Sequence, residues 1–190
     1  SHPRDPAVLN NLATVYMQLA QQDKAIEILT RSIRWTPNYA PTQLTMALAL
    51  QRNGDLGRAT SYARKAVNLQ PAMSAAHALL GRLSLQQADL EGARRYLSES
   101  IAIGNSDPST REVYAMVLLD LGRLRGAIQQ FKLVLQVTPN STVSIGGIAV
   151  ATARQGDAQK AIAILNDARQ RVPNDANLDR AMNTILQMRK

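Results

Sequence analysis

The stretch NNLATVYMQLAQQDKAI, Asn10 to Ile26, carries Leu12, Ala13 and Tyr16 at helical spacing, breaks into polar residues, and resumes an apolar pattern at Ala25. Two short helices joined by a turn would give such a pattern. The same arrangement returns along the chain. The alanine of the second half recurs as Ala25, Ala59, Ala93, Ala127 and Ala161, and the small residue of the first half as Ala13, Ala47, Gly81, Ala115 and Ala149. Larger residues recur beside them: Leu29, Ala63, Leu97, Phe131 and Leu165 in the second half, and Leu12, Met46, Leu80, Tyr114 and Ile148 in the first. Prolines close each unit at Pro3, Pro37, Pro71, Pro139 and Pro173; only the slot at Asn105 lacks one, and there Asp107-Pro108 supplies an N-cap and a proline for the next helix. Polar turns such as NGDLG (Asn53–Gly57) and QGDAQ (Gln155–Gln159) separate the halves.

Small residues facing one another let two antiparallel backbones approach closely, and the larger neighbours fill the space beside that contact. One pair leaves an apolar face bare. Stacking consecutive pairs covers it, so the units are expected to share one continuous core.

The first block, with Leu9, Leu12, Ala13, Tyr16, Ala25, Leu29, Ser32 and Pro37, strongly resembles the tetratricopeptide repeat (TPR) family, and five in-phase copies carry the resemblance across residues 6–175. It implies an all-α fold, a right-handed α-solenoid of antiparallel helix pairs (TPR superhelix), with units at 6–39, 40–73, 74–107, 108–141 and 142–175. Residues 176–190 then read as a C-terminal capping helix, with Leu178, Met182, Ile185 and Leu186 at helical spacing. Asp179 and Asn183 stand where a following helix would pack, which would end the array in solvent. Residues 1–5 read as a leader or cloning remnant. Gln43, His77 and Arg111 occupy a slot that varies in the family.

Composition narrows the function. With 45% apolar and 19% charged residues the chain can bury a core, and no apolar run approaches the roughly 18 residues that cross a bilayer. The absence of cysteine excludes disulfides and thiolate metal sites, and is compatible with cytoplasm or periplasm. The net charge of +8 is spread along the chain, no 34-residue block exceeding +3. One Phe, one Trp and five Tyr leave little to stack on bases, so nucleic acid is a disfavoured partner. His2 in the leader and His77 at a packing position are the only histidines, too few for a histidine-based triad or metal site. Asp55, Asp89 and Asp157 recur at one turn position and read as helix caps. No enzymatic activity, cofactor or metal is expected. Trp35 is expected to pack between units, and Arg64-Lys65, Arg94-Arg95, Arg123 and Arg125 to form a solvated outer face.

In TPR arrays the first helices line a concave groove that binds partners, and the resemblance assigns its positions here. The groove would offer Asn10, Asn11 and Thr14 from the first unit, Leu44, Leu48 and Arg52 from the second, and Leu79 and Arg82 from the third. Val113 and Met116 follow from the fourth, and Gly146, Gly147, Val150 and Arg154 from the fifth. Leu85 and Leu119 add to its apolar centre and Glu112 to its rim. The lysine and asparagine set of the family's chaperone-binding clamp is missing, and its asparagine ladder is reduced to Asn11. An apolar centre with a polar rim fits an apolar peptide or an amphipathic helix of another protein. The resemblance thus implies a non-enzymatic protein-interaction scaffold, of a kind common in bacterial envelope, secretion and polysaccharide-export assemblies. The alternatives are a self-assembling homo-oligomer and the recognition region of a larger enzyme.

The stretch TVSIGGIAVATARQGD, Thr142 to Asp157, sets Gly146 and Gly147 inside the fifth first helix. It lacks the spacing and strand context of a phosphate loop. Two interior glycines cost about 2 kcal/mol relative to alanine, so replacing both is expected to raise stability. They represent either drift or a bare backbone where a ligand or the cap helix comes close.

Overall fold

The structure is a computed structural model that describes residues 5–188. The leader, apart from Asp5, and the last two residues of the cap lie outside them. Among the described residues there are eleven α-helices and no strand. They are α1 (Pro6–Gln18), α2 (Gln22–Trp35), α3 (Ala40–Arg52), α4 (Leu56–Leu69), α5 (Ser74–Gln86), α6 (Leu90–Ala102), α7 (Pro108–Asp120), α8 (Leu124–Val137), α9 (Thr142–Arg154), α10 (Ala158–Arg171) and α11 (Ala176–Gln187). No helix among them is long and apolar enough to cross a membrane.

The helix ends follow from local chemistry. Asp55, Asp89 and Asp157 each accept a hydrogen bond from a backbone N–H in the first turn of α4, α6 and α10, satisfying a donor that has no partner within the helix. Asp107 does the same for α7 through the N–H groups of Ser109 and Thr110, with Pro108 opening the helix. Between the helices of each pair one residue adopts a left-handed conformation, and it recurs at the repeat interval as Ala20, Gly54, Ala88, Gly122 and Gly156. This conformation ends the first helix and turns the chain back. Three blocks place glycine there; Ala20 and Ala88 adopt φ of 56° and 60° with a Cβ that disfavours it.

The chain divides into two compact units, Ser1–Asn105 and Ser106–Lys190. In the first, α1 pairs with α2, α3 with α4 and α5 with α6, while α2 packs on α3 and α4 on α5. In the second, α7 pairs with α8 and α9 with α10; α8 packs on α9, and α11 lies against both α9 and α10. Each unit is therefore built in the solenoid manner, with first helices in one layer and second helices in the other. The facing alanines named above are fully buried in every pair. At Gly81 even a methyl group would meet the Leu97 side chain at 2.5 Å, so the leucine fills the space a side chain would take.

Buried apolar residues form one cluster within each unit. The boundary coincides with the missing proline. Thr36, Gln70, Thr138 and Val172, each followed by proline, share one backbone conformation, with φ between −126° and −141° and ψ between 76° and 86°, outside the α region that proline disfavours in its predecessor. The corresponding Gly104 instead takes φ of 110°. There Asn105 Nδ2 donates to Ser100 Oγ, which in turn donates to the Ser74 carbonyl, tying down the loop where the proline ring is absent.

The variable slot also holds the proline loops. Gln43 Nε2 donates to the Pro37 carbonyl at 2.7 Å, and His77, 7% exposed, sets Nε2 against the Pro71 carbonyl and Nδ1 against Glu99. Trp35 departs from the expected packing role: it is 41% exposed, with the Arg31 guanidinium over its ring.

Candidate functional site

In the second unit α9 is the central first helix, and its paired glycines decide how closely its neighbours approach. A methyl group on Gly147 would stand 2.3 Å and 2.4 Å from two carbons of the Phe131 ring on α8, so the ring occupies the space a side chain would take. On Gly146 it would meet the Ala181 Cβ of α11 at 3.2 Å. The glycines thus admit an aromatic ring from one side and the cap helix from the other. Against the expected stabilisation by alanine stand an overlap with the ring at Gly147 and a tight contact at Gly146.

These contacts shape an open pocket of about 270 Å³ in the second unit. Met116 and Leu119 of α7 and Val143, Gly147 and Val150 of α9 form its apolar surface together with Ala181, above the fully buried Phe131 ring of α8. Thr142, Asn177, Arg180 and Thr184 complete the lining. On α11, residues 177, 180, 181 and 184 fall on one face by helical periodicity. Met116 stands at the pocket with 47% exposure. The volume corresponds to about nine waters at roughly 30 Å³ each, room for a large apolar side chain.

Hydrogen bonds hold the surrounding elements. Asn177 Nδ2 donates to Thr142 Oγ1 at 3.1 Å, joining α11 to the start of α9. Asp175 caps α11 through the N–H groups of Asn177 and Leu178. Burial alone would raise its carboxyl pKa, but those N–H groups and the Thr142 hydroxyl together bring it below the ordinary value. Glu112 receives the hydroxyls of Ser141 and Ser144, fastening α7 to α9.

The other groove positions divide by burial. Val113 is half-buried, and Gly146 is buried beneath α11. Leu79 is fully buried in the first unit's core and presents no surface to a partner. Asn11 and Thr14 are exposed, and Asn10, Leu44, Leu48 and Arg82 are half-buried. Arg52 and Arg154 act differently from rim charges. Arg52 Nη1 donates to the Met17 carbonyl and Arg154 Nη1 to the Leu119 carbonyl, at 3.1 and 2.8 Å. Each satisfies a carbonyl in the last turn of the preceding first helix, where positive charge is favoured.

The capping helix supplies lining that the sequence reading assigned only to solvation. Asn177, Arg180, Ala181 and Thr184 had a signal: counted as a sixth first helix, α11 places them at the same repeat positions as groove residues of earlier units. Phe131 gave none, because its position reads as core and its ring is fully buried.

Sequence models described as tetratricopeptide repeat match residues 6–39, 44–108 and 118–185. No curated protein matches the chain significantly. Among solved structures, YrrB, described as a TPR protein with an unusual peptide-binding site, aligns with a TM-score of 0.83 at 18% identity, covering 96% of this chain and 94% of its own. MamA from Desulfovibrio magneticus RS-1 aligns at 0.80 and 16% identity over 92% of this chain and 100% of its own. The structure of the APC/C hetero-tetramer Cut9-Hcn1 contains a similar region, with a TM-score of 0.73 at 20% identity over 100% of this chain and 38% of the matched one. At these identities the likeness is one of fold.

Proposed function

Because the chain belongs to the tetratricopeptide repeat family, we propose that it is a non-enzymatic scaffold. It holds an apolar peptide or amphipathic helix of another protein against α7, α9 and α11. The observation that carries this reading is the apolar pocket over Phe131, opened by Gly147 and bordered by exposed Met116. Apolar surface with a few convergent polar groups is the usual make-up of a binding site. The peptide-binding site named for YrrB lends support from a protein of the same fold.

The test is selection of displayed peptides on the 190-residue chain, followed by binding to the Met116→Glu variant. Peptides should lose affinity while the helical signal and urea midpoint stay near those of the parent. Equal binding to a folded Met116→Glu variant overturns the pocket reading.

A second reading, self-assembly, has its own observation. Val8, Leu12, Val15 and Leu19 on and just after α1 are 41–61% exposed and fall along one side of the helix. No charged residue occurs between Pro6 and Gln22 to oppose burying that side against a second copy. Leu12→Glu should then abolish any concentration-dependent rise in mass. A monomer at all concentrations removes this reading and leaves the first intact.

A further inference from the structure

The pocket also carries information about the charge of its ligand. Among its lining residues Arg180 is the only charged one, so the pocket has a cation and no carboxylate. Arg180 is exposed on α11 and has no carboxylate partner among the described residues. Of the acids on the surrounding elements, Asp120 is exposed at the end of α7 and is not among the lining residues, and three others have partners. Asp179 pairs with Arg169 at 2.5 Å, Asp175 caps α11, and Glu112 accepts the hydroxyls of Ser141 and Ser144. Arg180 directly precedes Ala181 on α11 and both line the pocket, the Ala181 methyl group lying against Gly146. The cation therefore stands at the edge of the apolar floor, and a ligand reaching both must place an anion next to an apolar group.

Resting on the pocket reading above, we propose that the ligand is a protein segment in which a large apolar side chain adjoins an Asp or Glu. The apolar side chain enters over Phe131 between Met116 and Val150, and the carboxylate pairs with Arg180. A guanidinium can meet a carboxylate through two parallel hydrogen bonds, which gives the pairing directional selectivity. The apolar floor supplies the affinity, and Arg180 chooses among apolar segments by charge.

The test is amide NMR titration of the chain with C-terminally amidated peptides that differ only at their centre: Leu-Glu, Leu-Gln, Leu-Lys or Ala-Glu. The amides of Gly146, Gly147 and Ala181 report occupancy. Leu-Glu should bind about two- to fivefold more tightly than Leu-Gln, Leu-Lys more weakly than both, and Ala-Glu should leave these amides unmoved. In the folded Arg180→Glu variant the order should reverse, with Leu-Lys binding more tightly than Leu-Glu. Equal affinity for Leu-Glu and Leu-Gln, lost in Met116→Glu, overturns the carboxylate assignment and leaves the pocket standing. No perturbation at these amides by any peptide overturns both. A preference for Leu-Glu that persists in Arg180→Glu assigns the charge recognition to another residue and overturns the role of Arg180.

Discussion

Replacing Gly147 with alanine sets two known effects against each other in one helix. Helix propensity alone predicts a gain of about 1 kcal/mol, since glycine in a helix interior is that much worse than alanine. Packing predicts the opposite. The new methyl group would lie 2.3, 2.4 and 3.0 Å from three carbons of the Phe131 ring, whereas carbon atoms in contact prefer about 3.5–4.0 Å. The ring would have to retreat by about 1 Å or more, and Phe131 has no exposed surface through which to move. Overpacking of this kind costs about 1–3 kcal/mol, so Gly147→Ala should be neutral to destabilising by about 2 kcal/mol once the propensity gain is subtracted. Urea unfolding followed by far-ultraviolet circular dichroism measures it as a midpoint shift at unchanged slope. Two comparisons isolate the cause. Gly57→Ala, also within a helix and with nothing within 4 Å of its new methyl group, should raise the midpoint. Combining Gly147→Ala with Phe131→Leu, the residue at the equivalent position in three other blocks, should cost less than the two single changes added together. A Gly147→Ala variant as much stabilised as Gly57→Ala would refute the close contact with Phe131.

Ala88→Gly relieves a left-handed alanine at φ of 60° and should stabilise by about 0.5–1 kcal/mol; an unchanged or lowered urea midpoint would show that the turn carries no such strain. Asp107 has its carboxyl pKa lowered, chiefly by the Ser109 hydroxyl, opposed by burial and aided by the Thr110 hydroxyl and both N–H groups. A folded-state pKa below the unfolded one gives stability that is present above the unfolded value and is lost as pH falls through the folded value. Asp107→Ala should thus cost about 1 kcal/mol at neutral pH, with the parent and variant converging below the ordinary carboxylate range when stability is measured against pH. Arg154→Ala should lower the urea midpoint by the equivalent of about 1 kcal/mol, speed amide exchange at the end of α7, and leave affinity for selected peptides unchanged, separating a helix-capping role from ligand contact.

The 34-residue recurrence of small residues, turns and prolines determined which residues form helices and which faces they bury. Helical periodicity and close-contact chemistry act over a few residues, so they are written locally. The aspartate caps and the facing alanines were legible for that reason. Even the lining contributed by α11 was accessible to the same count, since Arg180 and Ala181 fall at repeat positions assigned to the groove.

Only the tertiary structure decided what the groove residues became. Leu79 and Met116 read alike as apolar groove residues, yet one is fully buried and the other nearly half exposed, because burial depends on how far neighbouring helices close over each position. Arg52 and Arg154 read as rim charges, but their reach carries them to carbonyls 35 residues earlier. The paired glycines were the sharpest case. Their sequence admitted drift, a ligand-facing floor or a close neighbour, and choosing among these required knowing that the Phe131 ring already fills the space beside Gly147 and that Ala181 presses on Gly146. A side chain's absence is visible in the sequence; what occupies the vacated volume is set by residues 16 and 35 positions away, which meet only when the helices pack.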